Sequence, residues 1–162
     1  MNPKSMEEAD AFMEFISKGT NLISEDMHFN IGGDHEFTFS VEGWPDLFII
    51  YPYIISCMPE CLKGKWKFFP FNPGKVGSFA YRVHDTDVDM GKIMVKASYD
   101  EKRENFNIRY YDKNLCALPE ENSDGNFHVI LELVLGEGVS FKYVNGIERA
   151  SGIEEGMIAL SG

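Results

Sequence analysis

Between Leu47 and Met58 the chain reads LFIIYPYIISCM, without a single charge and with a proline in its middle. As a helix this stretch is only about 18 Å long, against a hydrocarbon core of roughly 30 Å. It is too short to cross a membrane. Leu47, Tyr51, Ile54 and Met58 form one stripe at helical spacing, with Phe48 and Ile55 beside it. Ile49, Ile50 and Tyr53 make the other side apolar as well. A helix apolar all round is expected to be buried on two sides. Pro45 suits its first turn, Pro52 is expected to bend or divide it, and Pro59 lies past its end. The sharper expectation is that Ile49, Ile50 and Tyr53 form a patch for a partner or for a homodimer.

Around this element the pattern alternates between the two periods. Residues 5–18 read as a helix, with Ser5 and Glu8 at capping-box spacing and Gly19 at the stop. MHFNI and HEFTFSVE flank GGD as a hairpin. GKWKFFPF reads as a strand that Pro70 confines to an edge or a bulge. FNPGKVGSF is rich in turn residues. KIMVKASY and FNIRYY alternate about the charged turn DEKRE, with Ile93, Val95, Phe106, Ile108 and Tyr110 as the inward set. NSDGN offers caps for a helix carrying Phe127, Ile130, Leu131, Val134 and Leu135 on one face, stopped by Gly136. VSFKYV then alternates through Val139, Phe141 and Tyr143 like a strand. The expected fold is α+β: a mixed, mainly antiparallel sheet of five to seven strands with two or three helices packed on it. The length of 162 residues suits one domain, residues 1–162, with an N-terminal helical segment over 1–24 and a short tail over 150–162.

Certain features resemble those of a class of small uncharacterised bacterial α+β domains, the kind catalogued as domains of unknown function. They are GWPDLF, Pro59 at a helix end, Trp66 opening a strand that runs into FNPG, and a later strand ending in NGIE. The resemblance covers Met27 to Glu148. It implies a fold and brings no activity, cofactor or catalytic residue with it.

The formal net charge is -11. Phosphate backbones repel such a surface, so nucleic acid is not expected as a partner. A basic protein is attracted to it. The three cysteines do not make a disulfide framework, and the N-terminus lacks the pattern of a signal peptide. A reducing cytoplasm is the expected compartment.

HDTDVDMG places Asp85, Asp87 and Asp89 at alternate positions. An EF-hand loop needs Gly sixth and Glu twelfth, and Met90 and Lys96 stand there. If extended, the segment puts all three carboxylates on one face, as a solvated edge or as a surface for a cationic partner. Cys57 and Cys61 lack the second pair that a zinc site requires. No metal or other cofactor is expected. The leading functional expectation is a non-catalytic protein-interaction domain with an acidic surface. Its most concrete form is an immunity- or antitoxin-like inhibitor, or an adaptor, of a basic partner. The alternative is a small hydrolase-like enzyme whose site gathers His84, the neighbouring aspartates and Cys116.

Overall fold

The computed structural model describes residues 6–160 apart from 26, 33, 34, 76, 78, 79, 84 and 85. The chain divides between Phe71 and Asn72 into two compact units. The division falls inside the turn-rich FNPGKVGSF stretch. Each unit has its own apolar cluster.

In the first unit, α1 (Met6–Asn21) continues past Gly19, where the sequence reading ended it. A single glycine costs a helix only about 1 kcal/mol, and Thr20 beyond it is buried. The capping role expected of Ser5 lies outside the described residues. The hairpin forms as its alternation requires. β1 (His28–Gly32) and β2 (Glu36–Ser40) pair antiparallel, with Phe29 opposite Phe39 and Ile31 opposite Phe37. Phe37 and Phe39 are buried, and so is Val41 just beyond.

β3 (Lys67–Phe69) pairs parallel to β2 and occupies an edge of this three-stranded sheet, the position that Pro70 allows. Parallel neighbours need a crossover. Here α2 (Leu47–Ser56) and the single turn α3 (Glu60–Lys63) lie in that connection. Pro59 stands immediately before α3, which the sequence reading did not anticipate.

α2 runs unbroken through Pro52. Its inner side is held by Tyr51, whose ring stacks on Phe39 at 4.5 Å between centroids. The Tyr51 hydroxyl donates to the Ser40 carbonyl at 3.1 Å and accepts the His28 N–H at 3.3 Å. A fully buried phenol that satisfies backbone groups of both hairpin strands fixes the helix in position as well as burying area.

The expectation that α2 is buried on two sides fails. Only Leu47 and Tyr51 are buried on it, while Ile49 is 79% and Tyr53 70% exposed. Ile50 is half-buried and packs against the core. Composition alone therefore misjudged the helix, because it has a covered side and an open one.

The second unit begins with a small hairpin, β4 (Ala80–Val83) and β5 (Thr86–Asp89), followed by a 3₁₀ turn at Met90–Lys92. β6 (Met94–Asp100) and β7 (Asn105–Tyr111) pair antiparallel. After a second 3₁₀ turn at Leu115–Ala117 come α4 (Glu120–Leu135) and α5 (Glu137–Tyr143). β8 (Val144–Arg149) then lies parallel to β7, and β9 (Ile158–Ala159) antiparallel to β6. The sheet order is β8-β7-β6-β9. The described chain is thus α+β with mixed sheets. Its strands form sheets of three, two and four, where one sheet of five to seven was expected.

Ile93, Ile108 and Tyr110 are buried as the alternation implied, and Val95 packs against them. Phe106 is more exposed. It lies at the irregularity where β7 shifts register against β8, and its ring meets Tyr99 at 5.1 Å. α4 starts directly after Pro119, so NSDGN lies inside the helix and does not cap it. Phe127, Ile130 and Leu131 are buried from it as expected. Of VSFKYV, Val139 to Tyr143 are helical, not a strand, and only Val144 begins one, as the first residue of β8. Val139, Phe141 and Tyr143 are all partly exposed on α5 or at its end, so their alternation marks no sheet face.

The corner between α4 and α5 is crossed by Asn72–Lys75. The Glu137 N–H donates to the Asn72 carbonyl at 3.0 Å, and the Asn72 N–H donates to the buried Glu137 carboxylate at 3.0 Å. The Lys75 N–H reaches the Leu133 carbonyl at 2.7 Å. Two glycines make this approach possible. A Cβ on Gly74 would lie 2.6 Å from the Gly136 nitrogen, and one on Gly136 would lie 2.9 Å from the Asn72 oxygen.

Candidate interaction surface

The open side of α2 is regular. Asp46 precedes the helix in helical geometry, and its carbonyl accepts the N–H groups of Ile49 at 3.2 Å and Ile50 at 3.4 Å. The positions 46, 49, 53 and 57 therefore continue one ladder at i, i+3, i+7 and i+11. Their side chains form a stripe of acid, isoleucine, tyrosine and thiol, all exposed. Interaction with the Cys57 thiol raises the Tyr53 phenol above its ordinary value. Trp44, just upstream, is also exposed.

A charge pattern missed in reading the sequence accompanies the stripe. From Gly19 to Leu62 the chain has no Lys or Arg, yet it holds Glu25, Asp26, Asp34, Glu36, Glu42, Asp46 and Glu60. The nearest cation beyond α2 is Lys63. Its ammonium lies 3.3 Å from the Ser56 carbonyl and 3.1 Å from the Glu60 carboxylate, closing the C-terminal end of the helix. Among the described residues, no Lys or Arg forms an ion pair with Asp46 or Glu42. Glu42 lies 3.5 Å from the His28 imidazole.

The aspartate triplet behaves differently. Asp85 and His84 lie outside the described residues. Asp87 and Asp89 fall on the outer face of β5, while Val88 between them is buried. The Arg82 guanidinium grips Asp87 through both oxygens, at 2.8 and 3.2 Å. That hydrogen-bonded pair lowers the Asp87 carboxyl and raises the Arg82 guanidinium. One Asp89 oxygen accepts the Gly91 N–H at 3.0 Å, and the other lies 3.2 Å from the Lys92 ammonium. These carboxylates cap and pair locally, so they offer less unbalanced charge than their spacing suggested.

The described histidines also have local partners. The His35 ring meets Trp66 edge-on at 5.3 Å. His128 lies 3.2 Å from Glu132, one turn along α4. The hydrogen bond to Glu132 raises the imidazole above its ordinary value, against the opposing effect of burial. A raised folded value means the contact stabilises fully below the unfolded value of about 6.5 and fades as pH climbs through the folded one. We expect His128→Gln to lower the melting temperature more near about pH 5.5 than near about pH 9. The effect is small because the imidazole is half exposed. An equal loss at both pH values would show that the contact does not depend on imidazolium charge.

Cys116 is partly buried, with its sulfur 3.9 Å from the Ala150 carbonyl. Among the described residues, no three His, Cys, Asp or Glu side chains gather as metal ligands. Among the same residues, no helix is long and apolar enough to cross a membrane. Comparison of the chain with protein-family models, curated proteins and solved structures gave no match.

Proposed function

We propose that this chain is a protein-interaction module that docks a basic protein. The observation that carries this reading is the exposure of Ile49 and Tyr53 on a helix whose other side is fixed in the core. Covering two large apolar side chains drives association, since apolar area removed from water stabilises by roughly 25 cal/mol per Å². The net charge of -11 sets the sign of the partner and steers it inward. The most concrete form remains an inhibitor or adaptor of a basic protein.

The test uses wild type and Ile49→Ser/Tyr53→Ser side by side as bait. The expected ligand is basic and is retained by the wild type alone. With that ligand purified, raising salt from about 0.05 to about 0.5 M should slow association far more than it speeds dissociation. Asp46→Asn with Glu42→Gln should slow association more than Asp87→Asn with Asp89→Asn, because Arg82 and Lys92 already balance the latter pair. An acidic ligand, or an association rate indifferent to salt, would remove the electrostatic half of the proposal. Equal retention by both baits would remove the apolar half.

A further inference from the structure

We infer that the open side of α2 receives a short cationic amphipathic helix from the partner protein. This rests on the interaction reading above and specifies its site and ligand. The stripe from Asp46 to Cys57 is straight, one side chain wide and about 16 Å long. An element matching it needs apolar anchors at the same pitch, and a helix supplies these at i, i+3 and i+7. Ile49 and Tyr53 are the counterparts of those anchors. Tyr53 adds a hydroxyl at its tip, so it can remain partly hydrated at the edge of a contact.

Charge selects the occupant. Asp46 begins the stripe, Glu42 precedes it, and the surrounding Gly19–Leu62 segment carries no Lys or Arg. A Lys or Arg flanking the partner's apolar anchors would meet carboxylates that, among the described residues, form no ion pair with Lys or Arg. A second copy of this chain carries the same net charge of -11 and would set Asp46 and Glu42 against like charge, which disfavours it as the occupant. A cationic helix is drawn in by the same field.

Cys57 provides a reporter inside the stripe, and Cys116 a partly buried one in the second unit. The probe is a synthetic leucine–lysine helix with leucines at i, i+3 and i+7. One control has the same composition in scrambled order, and another has glutamate in place of lysine. The full chain is alkylated with iodoacetamide in the presence of each peptide, and each cysteine is followed by mass. The amphipathic cationic probe should slow alkylation of Cys57 at least about fivefold while leaving Cys116 unchanged. Neither control should protect Cys57. Ile49→Ser/Tyr53→Ser should weaken binding about tenfold or more, as loss of central apolar anchors does. Both positions are exposed, so the variant's melting temperature should match the wild type's and exclude misfolding as the cause.

If the scrambled cationic peptide binds and protects equally, or the double variant binds equally well, the helical site is wrong while a basic partner stands. If neither cationic peptide binds, the partner's charge and the site both fall. If sedimentation shows a dimer that Ile49→Ser/Tyr53→Ser dissolves, the occupant is a second copy and the inference is overturned.

Discussion

Gly136→Ala is expected to destabilise the second unit by about 3–5 kcal/mol, with Gly74→Ala close behind. Gly136 has φ 88° and ψ 147°, a region nearly closed to residues with a Cβ. The backbone strain alone costs about 1–3 kcal/mol. The added methyl would also meet the Asn72 oxygen and the Pro73 carbonyl carbon, each at 2.9 Å. Both are backbone atoms that cannot swing aside, so Asn72–Lys75 must lift. Lifting it breaks the paired bonds between Asn72 and Glu137 and leaves a carboxylate buried without that donor. Gly125 provides the control. It lies within α4 with open space where a Cβ would go. Gly125→Ala should therefore stabilise by up to about 1 kcal/mol through helix propensity. Urea unfolding of the three variants checks this. Equal midpoints for Gly136→Ala and wild type would show that the crossing is loose.

Tyr110→Phe is expected to cost about 2 kcal/mol, more than a typical single hydrogen bond. The Tyr110 hydroxyl lies 2.5 Å from Ser123 Oγ and donates to Asp124 Oδ1 at 2.7 Å. A phenol has one proton, so Ser123 must donate to Tyr110 while Tyr110 donates to Asp124. Burial is the main cause that pushes the phenol well above its ordinary range, and Asp124 adds to it. The chain of bonds ties the C-terminal end of β7 to the first turns of α4. Removing the hydroxyl strands the fully buried Ser123 hydroxyl. Adding Ser123→Ala should then recover part of the loss, because removing both partners costs less than orphaning one. If the double variant is as unstable as the sum of the singles, the two groups are not coupled.

The elements legible in the sequence are those whose period was enforced by a one-sided core. β2 alternates because Phe37 and Phe39 face the apolar cluster that holds Tyr51, and α4 repeats at helical spacing because Phe127, Ile130 and Leu131 pack into the cluster that holds Ile108 and Tyr110. α5 was misread because a partly exposed helix need not show any period. Its identity is set by Gly136, which ends α4 and starts a new helix in one step. β9 is two residues long and α3 four, too short for periodicity to register. The parallel pairing of β2 with β3 depends on contacts distant along the chain. The α2 surface was legible in part. Ile49, Ile50 and Tyr53 were singled out together, yet Ile50 turns toward the core. Alternate spacing put Asp87 and Asp89 on one face, but only their geometry reveals Arg82 and Lys92 beside them.

The missing cations have a consequence for how this chain meets proteases. Trypsin and its relatives cleave after Lys or Arg, and none occurs between Lys18 and Lys63. The β1–β2 hairpin, α2 and both exposed thiols therefore lie on one uncut fragment, whether the chain is folded or not. Resistance to such enzymes here says nothing about stability. Loss of structure in this part of the molecule would be visible only to proteases that cut beside aromatic or aliphatic residues, and for these Ile49 and Tyr53 already stand at the surface.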